Sequence, residues 1–121
     1  WRAAQTLAAI VRSGYGGTVV GAGAVEPLIH ALSDENPGVR LFATWALYSI
    51  VEAGFWKDIE NAGGISELEA LVDDNELELK IWNVSSKKNE KYTVGKLARK
   101  TLNLLAQEKE KDKKIIGEKL T

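Results

Sequence analysis

The sequence predicts an all-α fold of stacked helical repeats, and three observations predict it. The chain resembles itself at a period of 40 residues, glycines recur where the helical patterns stop, and a last helix resumes the pattern after an interruption. Sliding residues 1–36 onto 41–76 gives nine identical pairs: Ala3/Ala43, Leu7/Leu47, Ile10/Ile50, Val11/Val51, Gly14/Gly54, Ala22/Ala62, Gly23/Gly63, Leu28/Leu68 and Asp34/Asp74. Tyr15/Phe55, Val19/Ile59, Val25/Ile65 and Leu32/Val72 change little. What recurs is the apolar skeleton and its breakers, which is how repeat arrays read.

Each element follows from local signals. Residues 2–13 place Ala3, Leu7, Ile10 and Val11 at helical spacing, and Gly14 supplies a stop. Val19-Val20 forms a short apolar pattern that meets a small-residue corner at Ala22-Gly23-Ala24, where glycine lets helices meet sharply. A third segment runs from Val25 to Leu32. Asp34-Glu35-Asn36-Pro37 then marks the start of a helix from about Val39 to Glu52, because proline fits the first helical turn and restricts the residue before it. The cycle repeats with Gly54, then Phe55, Trp56 and Ile59, then Ala62-Gly63-Gly64, then Ile65 to Val72.

Leu77 to Thr93 breaks the register. Leu77-Glu78-Leu79-Lys80-Ile81 alternates as a strand would, while Leu77, Ile81 and Val84 also fit one helix face, so both readings stay open. Ser85 to Lys91 is polar and turn-like, which predicts an exposed excursion. A last helix, Val94 to Ala106, resumes at an offset of 55, aligning Val39/Val94, Ala43/Ala98, Leu47/Leu102 and Ile50/Leu105. Residues 107–121 alternate in charge with little to bury, as a solvated helical extension or a frayed end would.

The run Ala22-Gly23-Ala24-Val25-Glu26-Pro27-Leu28, followed by Thr44-Trp45-Ala46-Leu47-Tyr48-Ser49-Ile50, resembles an armadillo repeat. The resemblance implies an armadillo/HEAT-like right-handed superhelix. Residues 1–106 would then hold the third helix of one repeat, one full repeat, and a repeat interrupted by a non-repeat insertion near 77–93. Residues 107–121 would be a charged C-terminal extension. It also implies a protein-protein interaction scaffold without enzymatic chemistry, binding an extended segment of a partner along a groove lined by the third helices. A tryptophan and an asparagine four residues later line such grooves. Trp45 matches the tryptophan, but Ser49 stands at the asparagine position; Gln5 and Ala9, and Lys100 and Leu104, replace the pair in the neighbouring units. That departure puts import-type recognition of basic peptides in doubt.

The expected partner-binding residues are Trp45, Ser49, Leu41, Lys96, Lys100 and Trp82. Leu41 and Trp1 each precede a groove position by one turn, and Lys96 and Lys100 fall on the groove side by register. Trp82, beside Lys80, Lys87 and Lys88, would either anchor a partner or pin the insertion to the array. Trp56, in a short first helix, reads as packing.

Charge gives the partner a sign. The net charge of −1 divides into −8 over residues 1–79 and +7 over residues 80–121, so the later half suits an acidic protein partner. A basic-faced nucleic-acid module is the alternative, and a structural subunit of a large assembly the third reading. No recognised nucleic-acid motif supports the former.

Other chemistries lack their residues. Gly14-Tyr15-Gly16-Gly17 follows a helix and has no Gly-Lys-Ser/Thr ending, so no phosphate loop is expected. His30 is the only histidine, with no second ligand or nucleophile motif. Asp73-Asp74-Asn75 lacks calcium-loop spacing. No metal, cofactor or catalytic site is expected. No apolar run reaches membrane-spanning length. The absence of cysteine and of a leader suggests an intracellular protein of unspecified compartment, and a chain that starts at Trp1 reads as part of something longer. Asn83-Val84-Ser85 is a glycosylation sequon in form only.

Overall fold

The computed structural model describes residues 6–7, 9–83 and 86–120, with only the backbone of 81–83 and 120. It is an all-α armadillo-like arrangement with, among the described residues, one small two-stranded sheet. After the segment Val11–Tyr15, where the helical course is broken at Gly14, come α1 (Gly16–Gly21), α2 (Val25–Ala31), α3 (Pro37–Glu52), α4 (Trp56–Asn61) and α5 (Gly64–Glu69). The chain then forms β1 (Glu78–Asn83) and β2 (Lys88–Thr93) before the long helix α6 (Val94–Leu120). Helices α1, α2 and α3 make one three-helix unit; α4, α5 and α6 repeat that order with the hairpin looped out ahead of the third helix.

The 40-residue period is written into the backbone. Gly14 and Gly54 have φ of 98° and 97°, and Gly23 and Gly63 both have φ of 80°. These are left-handed positions that a Cβ would strain. The two aspartates equivalent by the period also build the same turn: Asp34 Oδ1 accepts from the Asn36 N–H at 2.8 Å, and Asp74 Oδ1 from the Glu76 N–H at 3.2 Å. After the first turn, Asn36 caps Gly38 and Pro37 starts α3. After the second, Leu77 stands where proline would be and the chain departs into β1.

The hairpin returns the chain to the place it left. Its six antiparallel pairs run from Glu78↔Thr93 to Asn83↔Lys88. The start of α6 then sits against the second turn, with the Gly95 N–H donating to Asp74 O at 2.7 Å. Only glycine fits there, since a Cβ would lie 2.6 Å from Val72 O. The alternation at Leu77–Ile81 is therefore that of a strand, and the polar stretch expected as a turn from Ser85 to Lys91 is already strand from Lys88 onward.

The core lies between α3 and its neighbours. Ala43, Ala46, Leu47, Ile50 and Val51 of α3 are fully buried, with Leu28, Ile29, Leu32, Ile59, Leu68, Ala98 and Leu105 around them. Helix α3 packs most extensively on α6. Helix α6 continues through the charged stretch to Leu120, the helical one of the two readings left open, and its continuation has partners the sequence did not suggest: the Trp56 indole N–H donates to Asp112 Oδ2 at 2.8 Å, and Lys109 Nζ reaches Glu60 Oε1 at 2.8 Å. Trp56 itself is buried, as packing requires.

Candidate interaction face

One face brings α3, α6 and the hairpin together. Trp45 and Tyr48 project from α3 one turn apart and are half-buried. The Trp45 ring stacks on Phe42, with centroids 6.3 Å apart and planes within 9°. Tyr92 of β2 also packs against it, with centroids 6.4 Å apart and planes tilted by 33°.

Cations surround this aromatic set. The Arg12 guanidinium lies 5.7 Å from the Trp45 centroid. Lys96 Nζ is 4.9 Å from the Tyr92 centroid, and Lys100 Nζ is 5.4 Å from Tyr92 and 5.6 Å from Tyr48. Such contacts attract a cation through the ring quadrupole and hold the long side chain in place. Hairpin atoms also fix the lysines: Lys96 Nζ donates to Lys91 O at 3.1 Å, and Lys100 Nζ meets the Tyr92 hydroxyl at 3.4 Å. Among the described residues, Arg12, Lys96 and Lys100 form no ion pair.

The two tyrosines record the local electrostatics. The Tyr92 hydroxyl donates to Glu90 Oε2 at 2.8 Å, and that bond, with burial and the Glu90 charge, raises its pKa, while Arg12 opposes the rise. Burial raises the Tyr48 pKa, with the Glu52 charge adding to it and Lys100 and Arg12 opposing. Glu52 and Glu90 are thus the acidic neighbours of the face.

The candidate residues from the sequence separate into groups. Trp45, Lys96 and Lys100 do converge, linked through Tyr92. Leu41 does not present a side chain to a partner: it is 0% exposed and packs with Val94 and Leu97 under Leu77, Leu79 and Tyr92. Ser49 is 2% exposed, and its hydroxyl donates to Trp45 O at 3.1 Å, a bond back along its own helix that occupies its only proton. Leu41 is covered because the apolar residues at the base of the hairpin, Leu77, Leu79 and Tyr92, pack on its cluster, while the described polar residues from Ser86 to Lys91 stay mostly exposed. Trp1 and the side chain of Trp82 lie outside the described residues, as do Gln5, Val84 and Ser85.

Sequence reasoning missed Arg12, Tyr48 and Tyr92. Tyr48 sits three residues after Trp45 and could have been found by helical spacing. Tyr92 could not, because its place depends on the strand register. The remaining glycine and histidine readings gain nothing: Gly16 packs against Ala53 and Phe55, and His30 is exposed beside a cavity of about 440 Å³ shared with Glu26, Ser33, Ser66 and Glu67. No group of three or more metal-ligating side chains occurs among the described residues. No described helix is long and apolar enough to cross a membrane.

Residues 17–52 match the family model of the Armadillo/beta-catenin-like repeat. That span covers α1, α2 and α3, one complete three-helix unit. No curated protein and no solved structure matches the chain.

Proposed function

The chain is an armadillo-repeat protein by its match over residues 17–52, and from that premise we propose that it binds a partner protein along the α3–α6 face. The ligand is an extended, acidic-leaning segment, gripped by Trp45, Tyr48, Lys96 and Lys100. One observation carries this reading: three cations lie on an aromatic platform with no carboxylate paired to them among the described residues. Partly desolvated aromatic residues next to organised charge are what interface hot spots are made of, and unpaired positive charge gives both attraction and direction to an acidic chain. Residues 1–106 serve as the repeat array, and the protein works within a larger chain or complex as a scaffold rather than as an enzyme.

Fluorescence anisotropy with a labelled octaglutamate peptide tests the proposal. Trp45→Ala should weaken binding about 30-fold, the effect of a hot spot worth about 2 kcal/mol. The pair Lys96→Glu, Lys100→Glu should slow association and flatten its salt dependence. Unchanged affinity in both variants overturns the reading. Stronger binding of arbitrary single-stranded DNA than of the peptide, with a steep salt slope, would replace it with the nucleic-acid alternative.

A further inference from the structure

We propose that the hairpin closes one end of this face and that Tyr92 is a specificity-determining residue there, so that the module reads a short acidic stretch rather than one running the length of the third helices. The inference rests on the reading of the α3–α6 face as the binding surface.

The argument begins with what the hairpin covers. Leu41 lies one turn before Trp45 on α3, and in an uninterrupted third-helix ladder it would continue the lining. Here it is fully buried, and Leu77, Leu79 and Tyr92 pack over the cluster it forms with Val94 and Leu97. The Tyr92 ring packs against Trp45, with centroids 6.4 Å apart, and so takes up part of the indole's surface. The accessible part of the face therefore ends at Tyr92 and extends from there along Tyr48 and Lys100 toward the C-terminal end of α3.

The same contacts place the charge at the closed end. Lys96 and Lys100 both sit over Tyr92, Lys100 also over Tyr48, and Arg12 over Trp45. The hairpin supplies the acceptor that holds Lys96, through Lys91 O. An acidic residue entering the face meets all three cations at the wall, while residues further along the same peptide meet Glu52 instead. Binding strength is thus concentrated in the first few acidic positions. The wall is firm because it is anchored twice, by its apolar side chains on the core and by the Gly95 to Asp74 hydrogen bond where it rejoins α6.

The test uses labelled tetraglutamate, octaglutamate and dodecaglutamate with the full chain and its Tyr92→Ala and Tyr92→Phe forms. In the unmodified protein, affinity should level off by octaglutamate. In Tyr92→Ala the dodecaglutamate should gain about tenfold over octaglutamate, since removing the ring uncovers the Trp45 face at the closed end. Tyr92→Phe keeps the ring and should behave as the unmodified protein does. An identical dependence on length in all three proteins overturns the closure and leaves the face intact. Failure of every peptide to bind every form overturns the acidic-segment reading and the closure with it. Hydrogen exchange on the unmodified protein decides the matter even if Tyr92→Ala misfolds: bound dodecaglutamate should protect amides of residues 45–52 and leave β2 unchanged. Faster exchange in β2 would mean that the ligand displaces the hairpin, and the closure would be wrong.

Discussion

Arg40 joins the two repeat-equivalent turns: its Nε donates to Asp74 Oδ2 at 2.8 Å while its Nη1 donates to Asp34 O at 2.8 Å. Glu35 O and Glu76 Oε2 complete the set at 3.0 Å each. The side chains of Arg40 and Asp74 are 10% and 12% exposed, so the pair is shielded from water on most sides. The hydrogen bond to Asp74 raises the Arg40 pKa, with burial opposing and Glu76 adding to the rise.

Asp74→Ala should therefore destabilise the fold by about 2 to 3 kcal/mol, near the low end for a broken buried pair because Glu76 still holds the guanidinium. Glu76→Gln, at a side chain 66% exposed, should cost less than about 1 kcal/mol. Urea unfolding of the two variants checks the order, and equal losses would refute the account.

Glycine substitutions should divide by what a methyl group meets. Gly95→Ala should cost about 2 kcal/mol or more, because the added carbon would press on backbone atoms of Val72 and Asp74 that cannot swing aside. Gly21→Ala meets nothing within 4 Å and has no left-handed φ, so it should stabilise the protein by about 0.5 kcal/mol. Thermal denaturation of both variants provides the comparison.

The C-terminal part of α6 should depend on Trp56. Asp112→Ala removes the acceptor of its indole N–H and leaves a buried donor unpaired. Amides of residues 107–116 should then exchange about fivefold faster, with the α3 core unaffected. No change in exchange would show that the helix end is held by its own propensity.

Alkaline pH should loosen the hairpin. Tyr48 and Tyr92 both have folded pKa values above the ordinary 10.0. The stability they contribute is complete below about pH 10 and is lost as pH rises through the folded values, since the unfolded chain ionises first. Tyr92→Phe has no proton to lose there and should show a shallower fall in urea midpoint between about pH 9 and about pH 11. Parallel curves would exclude Tyr92 as the cause.

The sequence by itself determined what depends on short-range chemistry. The period, the helix stops and the corners were legible because Gly14, Gly23, Gly54 and Gly63 each answer a local demand for positive φ, and Asp34 and Asp74 each build a turn with a residue two positions away. Trp45, Lys96 and Lys100 were legible as one face because helical spacing and register suffice to align them. The hairpin was legible only as one of two open readings, through the alternation at Leu77–Ile81, and its turn explains why it went no further: Lys87 takes a left-handed φ of 55°, where glycine or asparagine would have been the signal.

Only the tertiary structure decided which groove residues remain accessible. Leu41 and Ser49 carry sound helical positions, but both are buried in the fold, Leu41 through strand register and the docking of Leu77, Leu79 and Tyr92. The Arg40 to Asp74 and Trp56 to Asp112 contacts span 34 and 56 residues. Local propensity carries no information over such distances; those pairings exist because the folded core brings the partners within hydrogen-bonding reach.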